Sequence, residues 1–138
     1  MTALANVTCI AIDGRGVLID GEPGTGKSSL ALSLIDRGAK LVGDDGVTLD
    51  DRGDQLWALP PANIAGLIEV RNVGLVELPT SSAPLALVVR LDPEAPRFID
   101  HPAKALIEGH ALPALALWPD TPALALRVEY ALKTYGLA

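Results

Sequence analysis

At 138 residues and a formal net charge of −6, the chain has the length for one domain with a single core, and too much acid for a nucleic-acid partner, whose phosphates demand basic patches. Hydrophobic residues make up 49% of it, yet no apolar run approaches the ~20 residues of a membrane helix, so no membrane partner is expected. One cysteine excludes an internal disulfide, two isolated histidines supply no zinc-type cluster, and residues 1–6 lack the basic and apolar regions of a signal peptide, so a cytoplasmic location is expected.

Residues 7–12 and 17–19 are short apolar runs separated by Asp13-Gly14-Arg15-Gly16, which reads as a β-hairpin. Cys9 lies in the first run and is expected to be a buried structural thiol. Next comes Gly21-Glu22-Pro23-Gly24-Thr25-Gly26-Lys27-Ser28, a match to G-x-x-x-x-G-K-[ST] between an apolar run and the helix-like run 30–35. Strand, loop and helix in that order are the setting of a phosphate-binding P-loop. Glycines let consecutive backbone N–H groups turn inward around an anion, and the helix start adds unpaired N–H groups and the positive end of its dipole. Lys27 is placed to reach the β/γ-phosphates of a nucleoside triphosphate, and the Ser28 hydroxyl to ligate Mg²⁺.

The helix is expected from about Lys27 to Arg37, stopped by Gly38. A brief strand at 39–42 runs into Gly43-Asp44-Asp45-Gly46. Residues 47–49 and 55–59 flank the polar turn 50–54 as a second hairpin, which Pro60-Pro61 breaks. Apolar runs follow at 64–71 and 73–78, then a strand at 85–91 that is apolar on both faces and therefore central in the sheet. Residues 92–102 read as a loop, 115–118 as a late strand, and Thr121-Pro122 as the N-cap and first turn of a final helix. Its apolar stripe runs through Leu124, Arg127, Val128, Ala131, Leu132 and Tyr135. His101 and His110 are expected in surface or loop roles. Hairpins mixed with βα units predict an α/β fold: a single domain, 1–138, with a P-loop-containing mixed β-sheet, flanking helices and β-hairpins.

Two further positions bear on chemistry. Asp44-Asp45 sit at the carboxyl end of a strand, the sheet edge where α/β folds bind ligands. Adjacent carboxylates are costly unless they share a cation or a proton, so one can hold Mg²⁺ while the other takes a proton from an attacking hydroxyl. Asp-Asp-Gly is equally a common turn. Glu69 is the one charge within 66–70, open to either a functional or an edge-strand reading.

Together these segments resemble the HPr kinase/phosphorylase family, which acts on a serine of the phosphocarrier protein HPr. The resemblance rests on the loop with its helix 28–35, on the glycine, short strand and paired aspartates at 38–45, and on Leu67-Ile68-Glu69-Val70-Arg71-Asn72-Val73-Gly74, similar to L-[LI]-E-[IV]-R-G-x-G. It covers the family's C-terminal catalytic domain, in a short form like those of alphaproteobacteria, which often have histidine where this chain has Asn6. Asn72 replaces a glycine of the signature, and residues 117–122 replace a late Pro-Gly-Arg-Asn segment.

The resemblance implies an ATP-dependent protein-serine kinase of phosphotransferase-system regulation, with HPr as its partner; a homo-oligomer is left open. ATP would sit on Gly21, Glu22, Pro23, Gly24, Thr25, Gly26, Lys27, Ser28 and Ser29, with Ser28 and Glu69 on Mg²⁺. Asp44 would be the general base, Asp45 would orient it or the metal's water, and Arg71 would neutralise phosphate charge, unless Arg71 pairs with Glu69 or Glu77. The altered segment 117–122 leaves the phosphorylase direction the weaker expectation. ATP and pyrophosphate both stand as donors. Two alternatives stay open: a small-molecule kinase with Arg97 on a lid, and a nucleotide sensor without turnover.

Overall fold

The computed structural model of the chain describes residues 1–63 and 65–138. Ile64, the first residue of the apolar run expected at 64–71, lies outside the described residues. In chain order the elements are β1 (Thr2–Ala5), β2 (Thr8–Ile12), β3 (Arg15–Gly21), α1 (Lys27–Asp36), β4 (Lys40–Gly43), β5 (Gly46–Asp51), β6 (Leu56–Leu59), β7 (Leu67–Val70), β8 (Gly74–Glu77), β9 (Ala83–Leu91), β10 (Ala103–Ile107), β11 (His110–Leu117) and α2 (Leu124–Tyr135).

One sheet runs in the order β1-β5-β6-β9-β3-β2-β4, with β11 also on β9 and β10 on β11; β7 and β8 pair separately. Strand β9 is the hinge of this arrangement. Its first residues pair antiparallel with β6, while the rest runs parallel to β3 on one edge and to β11 on the other. The sheet is therefore mixed, as its hairpins and βα unit require. The parallel strands β3, β9 and β11 bring their carboxyl ends to the same edge, where the glycine loop follows β3.

Period-2 alternation divides the core. Ile10, Val17, Ile19, Leu87, Val89 and Leu91 face α1 and α2, while Cys9, Leu18, Leu85 and Val88 face a second cluster with Val42, Val47, Leu49 and Leu56. Both helices pack into the same cluster, so they cover one face of the sheet instead of flanking it on two. The second cluster is closed by the curl of the sheet itself, so both faces are buried with two helices among the described residues.

Local chemistry explains most boundaries. Asp13 and Gly14 have φ of 49° and 79°, both positive as a two-residue type I′ hairpin turn demands. Helix α1 stops in a Schellman motif: Gly38, at φ 109°, donates to Ile35 O at 3.0 Å, and Ala39 N–H donates to Leu34 O at 3.0 Å. The final helix starts later than its sequence suggests. Its N-cap is Ala123 and no side chain caps it; Thr121 lies ahead of the helix and accepts only through its backbone, from Leu124 N–H. Arg127, placed on the apolar stripe by spacing, is exposed and lies over the Trp118 ring.

Three strand segments escape the pattern reading. β1 and β10 are mostly exposed edge pieces with small or mixed side chains, and β11 begins five residues earlier than the apolar run at 115–118. Among the described residues no helix is long and apolar enough to cross a membrane. His101 lies exposed in the loop at 92–102, and His110 opens β11, with Nε2 2.9 Å from Asp51 Oδ1. That contact and the Gly53 N–H hold the Asp51 carboxyl below its usual range.

Cys9 is fully buried, and burial pushes its thiol up to about 12. The thiol therefore stays protonated well above pH 8, and a thiolate-dependent reagent has no nucleophile to meet in the folded state. With a disulfide reagent at pH 8, Cys9 is expected to label at the rate of global unfolding; burst labelling in native buffer would contradict the buried assignment.

Candidate active site

The loop after β3 is shaped by its glycines. Gly21, Gly24 and Gly26 have φ of 152°, 84° and 95°. At Gly21 an added Cβ would stand 2.8 Å from Thr25 Oγ1 and 3.1 Å from Leu91 O, so the turn closes only because no side chain is there. Thr25 ties the loop across itself, its N–H and Oγ1 both donating to Glu22 O, at 3.2 and 2.7 Å. Helix α1 then begins with Gly26 as N-cap, with no side-chain cap and no acid in the first turn. Most helices satisfy these orphan N–H groups with a Ser, Thr, Asp or Asn side chain. Here they are left for something else, beside the positive end of the helix dipole.

Lys27 Nζ donates to Gly21 O at 2.7 Å, folding its ammonium back over the loop. Ser28, one residue on, donates its hydroxyl to Asp44 Oδ1 at 2.7 Å. Asp44 follows β4 directly and is 8% exposed. Its carboxylate accepts two further hydrogen bonds, from Thr8 Oγ1 at 3.0 Å and from Glu69 N–H at 3.3 Å. Four elements thus meet on one side chain: β2 through Thr8, α1 through Ser28, β7 through Glu69, and β4 through the chain itself.

Asp45 differs. It sits at φ 60° in the turn toward β5, its backbone C=O accepts from Asn6 N–H at 3.1 Å, and it is exposed. Aspartate tolerates the left-handed region better than most residues. A cavity of about 400 Å³ gathers Thr8, Lys27, Ser28, Asp44, Asp45 and Glu69, with Leu67 and Leu75 as its apolar rim. A second, about 190 Å³, shares Lys27, Ser28, Asp45 and Glu69 and adds Asn6, Ser29, Arg71 and the loop residues Pro23, Gly24 and Gly26.

The sequence-predicted residues are therefore largely in one place. Among the described residues Arg71 makes no ion pair with Glu69 or Glu77. Glu22 points elsewhere: it lies 3.5 Å from Arg90, which also bonds Asp20 at 2.8 Å. Thr8 and Asn6 line the site cavities without having been given a role from the sequence. Thr8 carried a signal, a hydroxyl in an otherwise apolar strand, where a buried polar group needs a partner.

Among the described residues no three His, Cys, Asp or Glu side chains cluster as a metal cage. Mg²⁺ does not require one, because it binds through one or two carboxylates and keeps phosphate oxygens and waters as its other ligands. Ser28 Oγ, Asp44 and Glu69 are hard oxygen donors lining one cavity, and they fit that demand.

Fold and site together define a mixed α/β domain in which a lysine and three carboxylates converge on a glycine-rich strand-to-helix loop. The family model described as the HPr serine kinase C-terminal domain matches residues 2–82. HPr kinase/phosphorylase of Exiguobacterium sp. is 35% identical over 154 aligned positions, covering 99% of this chain and 49% of that protein. The enzyme of the same name from Clostridium beijerinckii is 44% identical over 71 positions, 51% of this chain and 24% of that protein. Among solved structures, the Hpr(Ser) kinase/phosphatase from Coxiella burnetii superposes with a TM-score of 0.83 at 29% identity, covering 96% of this chain and 89% of that one. The chain belongs to the HPr serine kinase C-terminal domain family. It spans about half the length, or less, of the curated relatives it matches.

Replacing Thr8 by Val keeps shape and removes one donor from a buried carboxylate. The expected cost is about 1–3 kcal/mol in urea unfolding. A Thr8→Val variant as stable as the parent would mean that Asp44 does not depend on this bond.

Proposed function

We propose that this domain transfers a phosphoryl group from ATP·Mg²⁺ to a serine hydroxyl of HPr. The observation that carries the reading is the hydrogen bond from Ser28 to Asp44 at the foot of an uncapped helix, with Lys27 beside it. A loop hydroxyl against a carboxylate at a strand end is the pair that holds the metal in P-loop phosphotransferases. Mg²⁺ held there would offset the charge of the phosphates.

On this reading the loop N–H groups and the α1 N-terminus bind the phosphates, with Gly26, Lys27, Ser28 and Ser29 nearest them. Lys27 exchanges Gly21 O for a phosphate oxygen. Ser28, Asp44 and Glu69 would hold the metal from the walls of one cavity. Arg71 lines the smaller, adjoining cavity and supplies a fixed positive charge as transfer proceeds.

The roles of the two aspartates exchange relative to the sequence-based expectation. Asp44 is buried and already occupied by three donors, a poor position from which to reach an incoming hydroxyl. Asp45 is exposed in the shared cavity and takes the serine proton. A general base must lie within hydrogen-bond reach of the proton it takes, and the more accessible carboxylate satisfies this.

Two observations favour a protein acceptor over a metabolite. The cavity rim continues into the β7–β8 hairpin, where Val73 and Leu75 are 73% and 70% exposed, an apolar lip suited to another protein's surface. Arg97, the candidate lid arginine, does not line either cavity.

Lys27→Ala is expected to abolish Mg²⁺-dependent ATP binding in calorimetry and phosphoserine formation on HPr with labelled ATP. Unchanged nucleotide affinity would remove the basis of the reading.

The aspartates separate by kinetics. Asp45→Asn is expected to keep Mg²⁺·ATP affinity and lower transfer by about 10²–10⁴-fold. Asp44→Asn is expected to weaken Mg²⁺·ATP binding itself. The opposite pattern would return the proton-accepting role to Asp44.

A further inference from the structure

A carboxylate that takes a proton from an incoming hydroxyl has to be held where that hydroxyl arrives. Asp45 is exposed, and among the described residues its carboxylate enters no ion pair. Its place is set by its backbone, which lies in the left-handed region at φ 60°. Asn6 reaches that backbone from outside the turn, its N–H donating to Asp45 O at 3.1 Å. We propose that Asn6 is a positioning residue for Asp45, holding the peptide of the base from the facing strand. The inference rests on the reading of Asp45 as the group that takes the serine proton.

Topology makes the contact specific. β1 and β5 pair antiparallel with Ala5 opposite Gly46, so Asn6 and Asp45 face each other one step beyond that ladder. There the two chain segments part. Asn6 leads from β1 toward β2, which pairs with β3 and β4, while Asp45 lies between β4 and β5. The bond between them is the last rung before the chain turns away on both sides. It also lies at the site, where Asn6 and Asp45 line the smaller cavity together with Lys27 and Arg71.

Both residues have left-handed backbone, Asn6 at φ 63°. Asparagine and aspartate visit that region more readily than most residues, but not without strain. The strain of one such residue is comparable with what a single hydrogen bond returns, so the bond decides whether the turn keeps its shape. Asp44, the neighbour on the other side, cannot give way, because Ser28, Thr8 and the Glu69 N–H hold it. The turn is tight as well: a Cβ at Gly43 would collide with Gly46 O. Released from Asn6, Asp45 relaxes toward negative φ and its carboxylate is re-aimed.

Because the role belongs to the Asn6 backbone, substitutions separate by their tolerance of positive φ. Glycine adopts it freely, alanine with strain, and β-branched valine hardly at all. The test measures phosphoserine formation on HPr and Mg²⁺·ATP affinity for Asn6→Gly, Asn6→Ala and Asn6→Val, each in the parent chain and in Asp45→Asn, with thermal melts to show that each is folded at the assay temperature. In the parent, Asn6→Val is expected to lower the transfer rate about 10–100-fold and Asn6→Ala less, with ATP affinity unmoved, while Asn6→Gly stays within about threefold of the parent. In Asp45→Asn the same substitutions are expected to cost no more than about twofold further, because a base that is absent cannot be displaced. A merely structural role would lower the rate by the same factor in both backgrounds. Equal losses in the two backgrounds, a glycine variant as slow as the valine one, or valine and alanine variants as fast as the parent overturn the positioning role. If Asn6→Val does not fold, the alanine and glycine variants carry the same comparison. An Asp45→Asn variant as fast as the parent overturns the assignment of the base itself, and the positioning role with it.

Discussion

Everything in the site depends on one buried carboxylate. Asp44 is fixed by Ser28, Thr8 and the Glu69 backbone, and through them it joins the first turn of α1, the strand β2 and the small β7–β8 hairpin. A carboxylate taken out of water without such donors would be expensive, so the three contacts are a condition of the fold as well as of the chemistry. They also set distances. With Ser28 held 2.7 Å from Asp44, the glycine loop cannot move independently of the strand end that carries both aspartates.

The second constraint is what the loop leaves unsatisfied. Helix α1 has no capping side chain, and Lys27 donates its ammonium to Gly21 O. Its ammonium must leave that carbonyl to reach a phosphate, an exchange of one hydrogen bond for a stronger charge-assisted one. The donors are already oriented by positive-φ glycines, so little ordering is required at binding. Phosphoryl transfer depends mainly on positioning and electrostatic stabilisation, and on the proposed reading this backbone would supply both.

Much of this was legible in the sequence because it is local. The glycine spacing, the Gly38 stop, the Asp13-Gly14 turn and the doubly apolar β9 follow from turn chemistry and period alone. What the sequence withheld is long-range. Thr8 and Asp44 are 36 residues apart, and nothing in either neighbourhood announces their bond. For the same reason spacing could not rank Asp44 against Asp45: adjacent residues of one type become distinct only when one is buried under three donors and the other turns outward at φ 60°. Edge strands β1 and β10 were missed because their mostly exposed residues lack strict alternation, and the late start of α2 because Thr121 and Pro122 mimic a cap without forming one. Placement of both helices on one face is a property of the curled sheet, which no single segment encodes.

On the proposed reading, Ser28 and Asp44 form the metal side of a phosphate site and leave Asp45 free for the acceptor. A crystal structure with Mg²⁺ and a non-hydrolysable ATP analogue tests it most directly. Expected are Mg²⁺ about 2.0–2.1 Å from Ser28 Oγ, Asp44 on the metal or on one of its waters, Lys27 moved from Gly21 O to a phosphate, and Asp45 not bound to the metal. A structure in which Asp45 ligates the ion while Asp44 points toward the acceptor side, or in which Lys27 stays on Gly21 O with nucleotide bound, would contradict it.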